Sequence, residues 1–551
     1  MESGIVLFNG VIHTLDGKGT VAEAVAFKGG RVTFVGANSE IGILKGYKRV
    51  DLKGKVVLPA FVDTHMHPAM SGIDFLFNIT LHNLYSVEDY IKAIEEFATE
   101  HPDLPAIKGS GFQRSVFDEV GPRKEWLDSV DSTRPIGIIS ADGHSIWVNS
   151  KALSLAGITR DTPSPPGGVI NRDPRTGEPS GLLLEKSAME LVDGVFPSPT
   201  KEDYKSALLY LNEYFNSVGL TTCHDAMVPL DNPDYYRAYE ELAEEGKLTV
   251  RYRGSWYLDP EEDCKAQIEE GISISREFKT PYWQVRSFKL FADYVIEEGT
   301  GYLSKEYSNR TDGWRGIKVW DDERLKSTLL LIDEAGFQIH VHQIGDEAAT
   351  YFLDALEYLN GVNGRRDRRT SFAHVQLLKE KDKERMAKLG VIAHVAPYWA
   401  VVDDYYEELN VPYLGKERAD NMYPIKSLID KNITVTIHSD FSVTEPNLPK
   451  AIYNGITRRL TEDEYLKIRE KLPGRVSLPP PAERATVSDM VCAATINGAY
   501  ANYLEGEIGT IEVGKRADFV VLDRDIFKVG IEEIPYLEVV STYFEGKKVY
   551  G

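Results

Sequence analysis

Residues 55–67 read KVVLPAFVDTHMH, an apolar β-branched run that ends in two histidines one residue apart. Side chains alternate faces along an extended strand, so His65 and His67 share a face at the end of the run. Taken singly, a His-x-His pair is often coincidence. Similar runs recur downstream and several also end in polar residues: GLTTCHD (219–225), LTVRYRGSWYL (248–258), QVRSFKLFAD (284–293), FQIHVHQIGD (337–346), TSFAHVQ (370–376), GVIAHVAP (390–397) and ITVTIHSD (433–440). From the second run onward, helical patterns such as LKSTLLLIDEAG (325–336) and EAATYFLDALEYLNG (347–361) separate them. Strands alternating with amphipathic helices make a parallel sheet, and eight such units close into an α/β (β/α)₈ TIM barrel.

One spacing departs from that rhythm. Between the first two runs the chain carries a long stretch rich in Pro and Gly around TPSPPGGVINRDPRTGEPSG (162–181), far longer than one crossover requires. It reads as an α/β insertion over residues 71–215, placed after barrel strand 1 and expected to cover the active site. The two chain ends read differently again. GIVLFNG (4–10) and AVAFKGGRVTFVG (24–36) near the start, and GTIEVGKRADFVVLDRD (509–525) and VVSTYFEGKKVYG (539–551) near the end, are all short β-branched runs broken by Gly. That is the pattern of antiparallel hairpins. Chain termini often lie close together, so residues 1–56 and 500–551 are expected to build one composite β-sandwich. The barrel is then 57–70 with 216–499.

Composition narrows the function. Hydrophobic residues are 42% and charged residues 27%, as in ordinary globular proteins. Lys and Arg number 63 against 85 Asp and Glu, a net charge of −22, which disfavours binding to nucleic-acid phosphates. Three widely spaced cysteines make neither a disulfide framework nor a Cys-rich zinc site. No run approaches the length of a membrane span, and the N-terminus lacks a secretion pattern. The expectation is a cytoplasmic protein with no membrane partner.

The C-terminal ends of barrel strands converge on one face, where active sites of such barrels sit. His65 and His67 follow the first run, Lys289 lies within the fourth, His342 ends the fifth, His374 lies in the sixth and Asp440 ends the eighth. Neutral imidazole and carboxylate together suit a borderline divalent ion, with zinc the first expectation. His340 shares a face with His342 but lies deeper, and reads as a packed or supporting histidine. A buried Lys289 has two readings. It could form a salt bridge to Asp293, or its amine could be deprotonated by burial and react with carbon dioxide to give a carbamate that bridges two ions. Asp440 is either a helix N-cap or strand-end salt-bridge residue, or a general base and later general acid. His144, Trp147 and His224 are candidates for substrate binding; His224 and Asp225 could instead orient a ligand, and Trp399 and Tyr398 could line an apolar pocket.

These residues carry a resemblance. VLPAFVDTHMHP (57–68) resembles the opening metal motif of the amidohydrolase superfamily, and GEIGTIEVGKRADFVVLDRD (506–525) resembles its closing β segment. KLFADYV (289–295), HVHQIGDEA (340–348), FAHVQ (372–376) and IHSDFSV (437–443) are similar to the branch called amidohydrolase family 3, or YtcJ-like. That branch includes N-substituted formamide deformylases. ADGHSIWVNSKAL (141–153) and GGVINRDPRTGEPSGLLLEKSA (167–188) resemble the same branch. One position departs: branch members often have Asp-Gly where this chain has Asp293-Tyr294.

The resemblance implies that His65 and His67 hold one ion and His342 and His374 another, with carboxylated Lys289 between them and Asp440 as the proton carrier. The implied substrate is a small amide, and a homodimer is the family expectation. Alternatives within the same site are hydrolysis of a cyclic amide or imide. Alternatives of another class are a lyase or isomerase using Lys289 as a Schiff base, which would not need the histidines, and a non-catalytic binding protein, which would not keep all six positions.

Overall fold

The computed structural model describes residues 4–82, 84–118 and 120–551. The chain divides into two compact units, Met1–Pro68 with Leu209–Gly551, and Ala69–Leu208.

In the first unit, eight parallel strands follow one another in chain order around a nearly closed sheet: β1 (Phe61–Met66), β2 (Leu220–Val228), β3 (Arg251–Tyr257), β4 (Trp283–Phe291), β5 (Gln338–Gln343), β6 (Ser371–His374), β7 (Ile392–Val395) and β8 (Val435–Ile437). The ends of the sheet meet where Thr64 Oγ1 donates to the Ile437 carbonyl at 2.9 Å and the Asp440 amide donates to the His65 carbonyl at 2.9 Å. This is the α/β barrel that the strand–helix rhythm predicts.

The opening run forms two strands in two sheets. Val56–Pro59 pairs antiparallel with Phe519–Leu522, and only Phe61–Met66 enters the barrel. The pairing runs past Pro59 to Ala60, whose amide donates to the Asp518 carbonyl at 3.0 Å, and the next amide, Phe61, donates to the Gly219 carbonyl at 3.0 Å as the chain joins the barrel. The six-stranded sheet containing Val56–Pro59 takes strands from both chain ends, in the order Lys547–Tyr550, Val539–Phe544, Phe519–Leu522, Val56–Pro59, Val11–His13 and Val21–Ala22. A four-stranded sheet of Arg31–Gly36, Ala24–Lys28, Ile5–Phe8 and Lys48–Asp51 accompanies it, and Leu7, Val25, Phe27, Val57, Phe519 and Tyr543 share one apolar core.

The helices between barrel strands start where their sequences cap them. Asp321 accepts from the amides of Glu323 and Arg324 at 3.0 and 3.1 Å, opening the helix Asp322–Glu334. Asn232 caps Pro233–Glu244, with Pro233 in its first turn. That helix docks through Tyr239, whose ring stacks on Trp283 at 4.1 Å with planes 4° apart, a contact worth about 0.5–1.5 kcal/mol beyond its buried area. Tyr235 and Tyr239 donate their hydroxyls to Asp225 at 2.9 and 2.7 Å. Asp225 thereby anchors a helix.

The second unit is a six-stranded sheet in the order Val169–Arg172, Pro179–Leu184, Ser145–Val148, Ile136–Ser140, Ile107–Phe112 and Ile79–Thr80. The helices Val87–Glu100 and Lys124–Val130 contribute Ile94 and Leu127 to its core beside Phe112 and Trp147. Among the described residues, no helix is long and apolar enough to cross a membrane.

Candidate metal centre

The barrel brings His65, His67, Lys289, His342, His374 and Asp440 into one cluster. His65 is buried in β1, and His67 lies just past that strand. Their Nε2 atoms lie 3.3 and 3.2 Å from Asp440 Oδ1. Lys289 Nζ, on β4, lies 3.3 Å from His65 Nε2. His374 ends β6 with Nδ1 3.9 Å from Asp440 Oδ2, and its ring centroid is 4.6 Å from that of His342 on β5. His374 and Asp440 both have φ in the left-handed region, +78° and +55°. Aspartate tolerates that region better than histidine does; such positions cost about 1–3 kcal/mol and persist where surrounding structure enforces them. Here the strained backbone aims both side chains at the same point.

Burial sets the charge states. It holds His65 and His374 well below the usual imidazole range, helped by Lys289 beside His65 and by His342 beside His374. Both rings therefore offer lone pairs at neutral pH. Burial alone would raise Asp440, but a hydrogen bond from His67 and the nearby His374 imidazole hold its carboxyl well below the carboxylate range. Burial brings Lys289 down to about 7, against a smaller opposing pull from Asp440. Lys289 makes no ion pair with Asp293. That carboxylate accepts the backbone amides of Tyr302, Ile344 and Gly345 at 2.8, 3.0 and 2.6 Å, and burial pushes it up to about 8.

The donor set fits a divalent cation. One ligand atom each from His65, His374 and Asp440 lies within 4.8 Å of the others. His374 Nδ1 is buried with no hydrogen-bond partner in the described structure. A buried polar atom left unsatisfied costs about 1–3 kcal/mol, and a cation among these imidazoles and carboxylate removes that cost.

Residues 48–550 match the Amidohydrolase family. The chain belongs to that family. Membership makes it a hydrolase of carbon–nitrogen bonds, and several relatives match nearly its whole length. It is 27% identical to the protein LONG AFTER FAR-RED 3 of Arabidopsis thaliana over 99% of this chain and 91% of that one. It is 28% identical to YtcJ of Bacillus subtilis over 98% of both. The N-substituted formamide deformylase of Arthrobacter pascens is 25% identical over 98% of this chain and 97% of that one. Among solved structures, a metal-dependent hydrolase of Pyrococcus horikoshii superposes with a TM-score of 0.74 at 23% identity, covering 96% of this chain and 99% of that one.

Two sequence expectations change in this amidohydrolase. His224 was a substrate-binding candidate, but its Nδ1 meets Asn502 Oδ1 at 2.8 Å and its Nε2 meets Ser255 Oγ at 2.7 Å, deep in the barrel. Both nitrogens are already in use, so it is a structural residue of the barrel interior. Trp147 is fully buried in the core of the second unit, where its Nε1 donates to the Arg123 carbonyl at 3.0 Å; it packs rather than lines a pocket. His144 belongs to the same unit and pairs with Glu185 through Nδ1 at 3.0 Å. Trp399, by contrast, lies at the metal cluster, stacked on His374 at 5.5 Å with planes 18° apart.

The barrel also holds histidines that sequence reading passes over. His438 is fully buried, 5.2 Å from the His65 ring and 5.0 Å from that of His374, and neither of its nitrogens has a hydrogen-bond partner among the described residues. His394 bonds Thr436 Oγ1 through Nδ1 at 2.6 Å, and its ring lies 5.2 Å from His340. The period of two was the available signal: His438 precedes Asp440 by two residues, as His340 precedes His342.

Proposed function

We propose that this amidohydrolase hydrolyses a linear amide, with N-substituted formamides as the substrate class. The convergence of His65, His67 and His374 on the Asp440 carboxylate, at 3.3, 3.2 and 3.9 Å, carries this reading. The name of the Arthrobacter pascens relative supports the formamide. His65, His67, His342, His374 and Asp440 would hold one or two divalent ions, zinc first among them. A bound ion supplies Lewis acidity, polarising the amide carbonyl and making water more acidic. Lys289, near neutral when buried, adds carbon dioxide through its amine and releases a proton, leaving a carbamate anion as an additional ligand. Asp440 accepts a proton as water adds to the formyl carbon. It returns that proton to the amine nitrogen as the C–N bond breaks, leaving formic acid and an amine, and the acid's remaining proton passes to the amine to give formate and an ammonium ion. Trp399, stacked on His374, supplies an apolar wall for the N-substituent.

The test is a panel of N-substituted formamides, acylated amines and cyclic imides with the metal-loaded protein, read by release of amine or by ring opening. Formamide cleavage that chelation abolishes and added zinc restores is the expected result. Turnover confined to cyclic imides would overturn the linear-amide assignment in favour of the cyclic alternative, and turnover indifferent to chelation would refute the metal-dependent mechanism.

A further inference from the structure

At the opposite end of the barrel from the metal cluster, the first residues of β3 and β4 open onto a cavity of about 470 Å³. Arg251, Arg253, Lys279, Arg286 and Arg516 line it together with one carboxylate, Glu507, five cations against one acid in a protein whose acids outnumber its bases by 85 to 63. Two of the five are neutralised. Arg251 pairs with Asp518 at 2.6 Å and Glu545 at 2.9 Å, and Arg516 pairs with Glu507 at 2.9 Å and also with Glu545. Arg31 shares Glu507 at 2.9 Å, so three guanidinium groups face three carboxylates in that cluster.

Arg253, Lys279 and Arg286 have no such partners. Among the described residues no carboxylate lies within ion-pair distance of any of them. Arg253 is 5% exposed, and among the described residues the one hydrogen bond of its guanidinium runs from Nη1 to the Tyr252 carbonyl at 2.8 Å. Arg286 lies over the ring of Tyr503 at 5.2 Å, with its guanidinium otherwise available. Burial and the neighbouring Arg251, Arg286 and Arg516 bring Arg253 down to about 9, so it remains charged at neutral pH.

A cation retained for stability alone would meet a carboxylate, as Arg251 does, because a buried unpaired charge is costly. Arg253 is instead held in a positive cavity with donors to spare. Guanidinium groups present planar forks that match the oxygens of a phosphate, and two of them with an ammonium balance a charge of −2 to −3. The volume exceeds what a bare phosphate needs and falls within the ordinary range of small-molecule sites.

We propose that this cavity binds a phosphate-bearing small molecule, held by Arg253, Arg286 and Lys279. The site is separate from the metal cluster and independent of the formamide assignment.

Calorimetric titration of the full-length, metal-loaded protein with inorganic phosphate and pyrophosphate tests this, at constant ionic strength, with citrate as the carboxylate comparison. Binding is expected in the millimolar range or tighter, with pyrophosphate above phosphate and both above citrate. Arg253→Gln should weaken it at least about tenfold, and the double variant Lys279→Gln/Arg286→Gln, which changes only exposed side chains and keeps the fold, should do the same. Absence of phosphate and pyrophosphate binding overturns the proposal, as does a preference for citrate. Phosphate binding that survives the double variant and vanishes on chelation would place the anion at the metal centre and equally overturn it.

Discussion

Nδ1 of His65 lies 2.7 Å from Nε2 of His340, and that contact fixes which nitrogen His65 turns toward Asp440. A proton must lie between the two rings, so His65 is left with Nε2 facing the carboxylate and Lys289. His340 is itself fully buried and held well below the usual imidazole range, by burial first and then by His65. It acts on the metal centre through His65.

Replacing His340 by alanine should therefore weaken metal binding about 10–100-fold, the usual effect of removing the partner that orients a ligating imidazole. Competition against a chromophoric chelator measures this directly, without substrate. Unchanged affinity with a native fold would show that β1 alone orients His65.

Lys289 gives a prediction with a definite sign. Its amine drops from an ordinary value near 10.4 in the unfolded chain to about 7 in the folded, metal-free protein. Between those values the unfolded state binds more protons, so stability rises with pH across that window. Lys289→Met removes the group. The metal-free variant should be more stable than the parent at pH 7 by a few kcal/mol, and the difference should shrink toward zero by about pH 10. Urea unfolding of both proteins across that range is the measurement. A pH-independent difference would mean that Lys289 is not buried as a titrating amine.

Much of this architecture is legible in the chain, and the exceptions share a cause. Strand ends at His65, His374 and Asp440 are visible because polar residues interrupt apolar β-branched runs, and both chain ends show their hairpins through Gly-broken alternation. His224 looks the same by that criterion, yet Asn502, 278 residues later, occupies its Nδ1. No local pattern contains that contact. His394 and His438 sit inside runs that read as apolar core, and only the closed barrel shows that its interior is lined by imidazoles, Ser255 and Ser287 instead. Trp147 sits beside a polar motif, but its strand pairs on both sides and turns the indole into the core.

Asp440→Asn separates the proton carrier from the ligand set. Asparagine keeps the size and one carbonyl oxygen near His65 and His67, so metal content should stay close to that of the parent. It cannot accept a proton, and turnover on the best substrate of the panel should fall by about 10²–10⁴-fold, the range general acid–base groups supply. Parallel metal analysis and kinetics read the two effects. Retained turnover would remove Asp440 from its assigned role, and loss of metal in step with turnover would make it chiefly a ligand.

The last prediction concerns the join between the barrel and the sheet built from both chain ends. Arg251 opens β3, and Asp518 precedes the strand Phe519–Leu522; their side chains are 1% and 3% exposed and 2.6 Å apart. Asp518 also accepts the Glu545 amide at 2.8 Å, and Glu545 takes a second bond from Arg251 at 2.9 Å. One carboxylate thus serves a buried guanidinium and a neighbouring strand end. Asp518→Ala leaves Arg251 half-compensated in a site with little water, and breaking such a pair costs about 3–5 kcal/mol. Glu545 remains, so the loss should fall toward the lower end of that range. Arg251→Met in the same background should recover part of it, because removing the second charge removes the uncompensated burial. Denaturant midpoints of the two single variants and the double variant close a cycle that isolates the pair. Additive losses would show that the two residues stabilise their own elements separately and that no charge coupling holds the sheet to the barrel.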